Sequence, residues 1–162
     1  MDTELDLRVK ADWAEMGRVN EEAGGFLAAC GLGAEAVQMY TMVVCELVEN
    51  AIKYGVFVDE EDRIEVHVTV SPVSVSVQVT HHCQVTGGPA LGDLDRTVQW
   101  LRSYQAPFEA YVARMKAISR EPLDADKSGL GLARITYEGR ALLDFYVDEN
   151  SRLSVSAVSS LV

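Results

Sequence analysis

A chain of 162 residues with 48% hydrophobic and 24% charged residues has the composition of an ordinary globular protein and is long enough for one well-buried core, so a single domain over residues 1–162 is expected. Its 25 acidic residues against 14 basic ones give a net charge of -11, which repels a phosphate backbone. No cluster of Lys and Arg with interleaved aromatics offsets that charge, so nucleic acid is not an expected partner, whereas a basic protein surface is.

No apolar run reaches the roughly 18 residues that suggest a membrane span, and Met1-Asp2-Thr3-Glu4 is acidic where a signal peptide would be basic. Cys30, Cys45 and Cys83 are odd in number and far apart, with no C-x-x-C pair, which argues against a disulfide framework or a zinc knuckle. The expectation is a cytoplasmic protein without a membrane partner.

Along the chain, Leu5 to Lys10 alternates apolar and polar residues as a half-buried strand does, and Asp12 can cap a helix that runs toward Cys30 and ends at Gly31 and Gly33. From Ala36 to Tyr54, the apolar residues Tyr40, Val43, Val44, Leu47, Val48 and Ala51 recur every three or four positions, which predicts a second helix closed by Gly55. After the acidic turn Asp59-Glu60-Glu61-Asp62, Ile64 to Val70 and Val73 to Val79 alternate strictly and predict an antiparallel hairpin joined at Ser71-Pro72.

Two weaker helical patterns follow, one with Leu91, Leu94, Val98 and Leu101, the other with Phe108, Tyr111, Val112, Met115 and Ile118, separated at Pro107. Gly129 to Glu138 reads as the start of another helix, and Leu142 to Val147 and Leu153 to Val158 as a final hairpin turned at Asp148-Glu149-Asn150. This order predicts an α+β fold, a two-layer α/β sandwich in which a mainly antiparallel mixed sheet carries its helices on one face.

Two places carry polar residues suited to chemistry. On the second helix, Glu46, Asn50 and Lys53 stand at i, i+4 and i+7 and so share one stripe. A carboxylate can take a proton from a hydroxyl, an amide oxygen is a hard ligand for Mg²⁺, and an ammonium neutralises phosphate charge. The alternative is a solvated face on which Glu49 and Lys53 form an ordinary i,i+4 pair, although Asn50 is a mediocre residue for a helix interior.

In the second place, Asp126-Lys127-Ser128-Gly129-Leu130-Gly131-Leu132 sets two glycines and a serine ahead of a helix. Free backbone N–H groups and the positive end of the helix dipole can hold an anion there. A tight turn before a buried helix uses the same letters.

Cys45-Glu46-Leu47-Val48-Glu49-Asn50-Ala51-Ile52-Lys53-Tyr54-Gly55 resembles the N-box of the histidine-kinase-like (GHKL) ATPases, and Ser128 to Ile135 resembles their second glycine box. The resemblance runs over nearly the whole chain and points most nearly to the stand-alone anti-sigma-factor serine kinases. It implies the Bergerat type of sandwich, with ATP and Mg²⁺ as cofactors. It also implies Glu46 as general base, Asn50 as Mg²⁺ ligand, Lys53 as a phosphate contact and Tyr54 as part of the adenine wall. Ser128, Gly129 and Gly131, flanked by Leu130 and Leu132, would form the phosphate cradle, and residues from about 85 to 126 the ATP lid.

The sequence departs from that pattern where the family has an Asp-x-Gly-x-Gly box whose Asp accepts a hydrogen bond from the adenine amino group. Here the chain reads Thr80-His81-His82-Cys83-Gln84-Val85-Thr86-Gly87-Gly88, with His81 in the place of the Asp. Loss of a charge-assisted bond worth about 1.5–3 kcal/mol weakens adenine binding roughly ten- to a hundred-fold. Lys127 replaces the first glycine of the second box, where it either adds a phosphate contact or points to solvent. His81, His82 and Cys83 make a poor metal set, since neighbours on a strand face opposite ways, and a polar wall for the nucleotide pocket is the preferred reading.

By resemblance, the chain is expected to phosphorylate a Ser or Thr on a STAS-type anti-sigma-factor antagonist and to hold a sigma factor or another partner, with a homodimer as a further option. A second expectation is a member of the same fold that no longer turns over ATP and binds proteins only. A third is a detached histidine-kinase catalytic domain serving a partner in trans. The aromatic residues Trp100, Tyr104, Phe108 and Tyr111 would cover either a partner or the chain's own core.

Overall fold

The computed structural model describes residues 1–83, 89–102, 109, 112–113 and 130–161. Five strands, β1 (Thr3–Val9), β2 (Ile64–Val70), β3 (Ser74–His82), β4 (Ala141–Val147) and β5 (Arg152–Ser160), form one sheet in the order β1-β2-β3-β5-β4, and every neighbouring pair is antiparallel. Helices α1 (Met16–Ala29), α2 (Ala34–Tyr54), α3 (Pro89–Arg102) and α4 (Leu130–Tyr137) complete the described elements. This is the expected two-layer α/β sandwich, although its described sheet is antiparallel throughout rather than mixed.

Alternation in the strands determines the layering. In β2, Ile64, Val66, Val68 and Val70 are buried, and in β3 so are Val75, Val77, Val79 and His81; the residues between them are half-buried or exposed. One sheet face therefore turns toward α1 and α2, whose Val19, Ala23, Leu27, Tyr40, Val43, Val44, Leu47, Val48 and Ala51 fill the space above it. Each Val or Leu among them contributes on the order of 1.5–3 kcal/mol by leaving water.

The opposite sheet face is polar over β1, β2 and β3, whereas at β4 and β5 it exposes Leu142, Tyr146 and Val158. Asp6 Oδ1 lies 2.6 Å from His67 Nδ1, Thr80 Oγ1 2.8 Å from Ser154 Oγ, and Arg152 Nη2 3.2 Å from Glu65 Oε2.

The element ends follow local chemistry. Asp12 accepts a hydrogen bond from the Ala14 N–H at 3.0 Å and so caps a short 3-10 turn, Trp13–Glu15, that leads into α1. The turn before β3 is tied by Ser71 Oγ, which accepts from the Val73 and Ser74 N–H groups, so pairing begins at Ser74 and Val73 stays outside the strand. At its other end β3 runs on to His82, three residues past the apolar alternation, because β5 continues opposite it through the pairs His81–Leu153 and His82–Arg152.

The first weak helical pattern is α3. Its Val98 and Leu101 are buried, and Leu94 and Trp100 pack against the main core, so this stretch covers its own protein. The second weak pattern, with Phe108 and Tyr111, and Tyr104 lie outside the described residues.

Where α4 turns into β4, Gly139 leaves no room for a side chain: a Cβ there would sit 2.6 Å from both the Ile135 carbonyl oxygen and Val43 Cγ2. Ser159 Oγ donates to the Gly139 carbonyl at 2.7 Å and pins this turn to β5. Gly139→Ala is expected to cost about 1–3 kcal/mol through overpacking, read as a lower urea midpoint with an unchanged slope.

Candidate functional site

α2 lies at the centre of the helical layer, touching α1 on one side and α4 on the other. Its stripe Glu46, Asn50 and Lys53 follows from 3.6 residues per turn, and all three lie outside its fully buried set. Lys53 is exposed near the end of the helix, where its Nζ sits 5.9 Å from the centre of the Trp13 ring, within cation–π reach. Tyr54 and Trp13 are both partly exposed at this end.

The opposite end of the stripe meets the glycine box. Arg134 on α4 donates from Nη1 to Glu46 Oε1 at 2.8 Å, and from Nε and Nη2 to Glu138 Oε2 at 3.2 and 3.1 Å. The second oxygen of Glu46 lies against Gly131, close enough that a Cβ on Gly131 would overlap Oε2 and lie 3.3 Å from the carboxyl carbon. A side chain at 131 would push the Glu46 carboxylate aside, so glycine there is what lets Oε2 rest on the backbone of α4.

Leu132 is buried beside it, while Lys127, Ser128 and Gly129 lie outside the described residues, as does most of the stretch read as a lid. Leu130 begins α4.

Burial raises the Glu46 carboxyl above the ordinary glutamate range, and Glu49 raises it further, while Arg134 and Lys53 pull it down. A carboxyl held between desolvation and a cation in this way is poised to accept a proton nearer neutral pH than an exposed one.

The segment after α2 folds back onto the end of β3. The Val56 N–H donates to the His82 carbonyl at 3.0 Å, and Asp62 Oδ2 accepts from the Val58 N–H at 3.2 Å and lies 2.8 Å from His82 Nδ1. Burial works to raise the Asp62 carboxyl, but the Val58 N–H and the His82 ring together hold it below the usual aspartate range.

His81, next to the tied His82, is 4% exposed on the helix-facing side of β3. His81 Nδ1 lies 2.8 Å from the His82 carbonyl oxygen. A carbonyl only accepts, so the proton is on Nδ1, and burial holds the ring's pKa below the ordinary histidine value, which keeps it neutral. Strand alternation sends His81 inward and His82 toward Asp62, and among the described residues no group of three His, Cys, Asp or Glu side chains is arranged around a common point for a metal.

Arg134 is the site residue that the motif reading missed. It stands inside the quoted glycine-box segment, but nothing local marks it as the partner of a carboxylate 88 positions earlier.

Fold and site together define an α+β sandwich with a part-buried carboxylate, an amide and a cation on its central helix, met at one end by a helix with Gly131 in its first turn. Neither a protein-family model nor a curated protein sequence matches the chain. In fold it is similar to a chain in the crystal structure of the SiaB-SiaC complex from Pseudomonas aeruginosa. The TM-score is 0.70 at 16% identity, and the match covers 95% of this chain and 88% of that one. No helix among the described residues is long and apolar enough to cross a membrane.

Proposed function

We propose that this chain is a partner-switching regulator that binds a small protein partner and, with ATP and Mg²⁺, transfers a phosphoryl group to a Ser or Thr on it. The observation that carries this reading is the meeting of Glu46 on α2 with Gly131 on α4. It places a partly desolvated carboxylate at the start of a helix whose free N–H groups suit phosphate. Likeness to a chain crystallised in a two-protein complex supports the protein partner. A STAS-type antagonist and a sigma factor are the candidates that the motif resemblance supplies.

The donor set fits the phosphate end of a magnesium nucleotide. Glu46 and Asn50 are one turn apart on one stripe, and no side chain intervenes between Glu46 and the backbone of Gly131. Asn50 would hold the ion, which when bound supplies charge neutralisation at the phosphates. Glu46 takes the proton from the attacking hydroxyl, and the start of α4 orients the phosphate. Tyr54 at the end of α2 and His81 near the end of β3 would meet the base, and Lys53, the last residue of the stripe, lowers the Glu46 pKa.

His81 favours a second reading, a protein-binding module of the same fold without turnover, because a neutral imidazole stands where a carboxylate would grip the adenine amino group. Isothermal titration with ATP and Mg²⁺, on wild type and on Asn50→Ala, separates the two. Binding that Asn50→Ala weakens about tenfold or more supports the kinase. Absence of binding at millimolar nucleotide overturns it, and binding that Asn50→Ala leaves unchanged removes Asn50 from the metal.

A further inference from the structure

Ion pairs on protein surfaces usually contribute little and vary in geometry, yet Arg134 is held at three of its atoms. Nε and Nη2 share Glu138 Oε2 just past the end of α4, which fixes the guanidinium plane near its own backbone, and Nη1 then reaches across to α2. The Glu46 side chain that it meets is 16% exposed against 37% for Arg134, so the contact lies at the edge of the core with its carboxylate end inside. Only a planar fork with several N–H groups can hold two carboxylates in fixed directions at once.

Resting on the kinase reading above, we propose that Arg134 is a positioning residue. It occupies Glu46 Oε1 and thereby turns Oε2, the oxygen beside Gly131, toward the place where the substrate hydroxyl must give up its proton. Two observations fix the division of labour between the two oxygens: the 2.8 Å bond to Oε1, and the packing of Oε2 on the bare Cα of Gly131. The same contact joins α4 to α2.

The test uses the full chain with magnesium ATP and water as acceptor, following release of inorganic phosphate for wild type, Arg134→Gln and Arg134→Lys. Arg134→Gln is expected to lower kcat by roughly ten- to a hundred-fold with KM for ATP within about threefold, since a misaimed group costs the chemical step rather than binding. Arg134→Lys, which keeps the charge and one donor, is expected to recover part of the loss. Wild-type kcat in Arg134→Gln, or a rise in KM alone with no recovery in Arg134→Lys, overturns the proposal.

Carbon-13 NMR of glutamate side-chain carboxyls, with Glu46 assigned from Glu46→Gln, reads the same contact without turnover. A Glu46 resonance that Arg134→Gln leaves in place overturns the positioning role. One that moves, in a wild type that binds no magnesium ATP at millimolar concentration, upholds the contact while the kinase reading fails.

Discussion

Glu46→Gln is expected to reduce phosphoryl transfer by about 10²–10⁴-fold while leaving ATP affinity within a few-fold, because the amide keeps the shape and the bond to Arg134 but has no basic oxygen. Stability should change in the opposite sense. Burial, followed by Glu49, raises the Glu46 pKa in the fold, so the folded state binds this proton more tightly than the unfolded chain. The stability this supplies is complete below the ordinary glutamate value of about 4.3 and is lost as pH rises through the raised value toward neutrality.

Gln escapes that loss. Between pH 4 and neutrality, approximate ends of the window set by that ordinary value, the thermal midpoint of Glu46→Gln should therefore fall less, or rise more, than that of wild type. Single-turnover kinetics and thermal scans on the same preparations check both halves. A variant that transfers phosphate at the wild-type rate would take the general base away from Glu46.

That the carboxylate proposed as general base also costs stability was only half visible in the sequence. The stripe of Glu46, Asn50 and Lys53 follows from helical spacing alone, and α2 begins at Ala34, two residues ahead of the expected start, because Ala34 and Glu35 precede the first apolar repeat. Ile64–Val70 was legible to the residue, since its alternation is unbroken and one face is buried.

The end of β3 was not. His81 is a polar residue at a buried position, so an alternation read from hydrophobicity stops at Val79 although the backbone pairing continues to His82. The least legible feature is the contact of Arg134 with Glu46, which has no periodicity and no spacing rule and exists only because α4 packs beside α2. Trp13 under Lys53 is hidden for the same reason: the start of α1 and the end of α2 become neighbours only when the two helices pair.

His81→Asp tests the other end of the site, and it is expected to tighten ATP binding between about ten- and a hundred-fold. A charge-assisted hydrogen bond to the adenine amino group is worth about 1.5–3 kcal/mol, against about 0.5–1.5 for a neutral one, and each 1.4 kcal/mol is tenfold in affinity. The lower figure applies if Nε2 of the neutral ring already accepts from the base, since Nδ1–H is committed to the His82 carbonyl. After burial and the His82 carbonyl, the positive charge of Arg152 is the next influence on His81 and would favour a carboxylate there, while the Asp62 carboxylate, a lesser influence, would oppose it.

Burial opposes a new charge there, so the ligand-free variant should melt below wild type, with added ATP restoring more of the midpoint than it does in wild type. GTP provides the contrast, because guanine presents an acceptor where adenine presents its amino group, so its affinity should not rise. Titrations with ATP and GTP, each with Mg²⁺, decide the matter: a folded His81→Asp variant whose ATP affinity equals that of wild type would place His81 outside the base-binding wall.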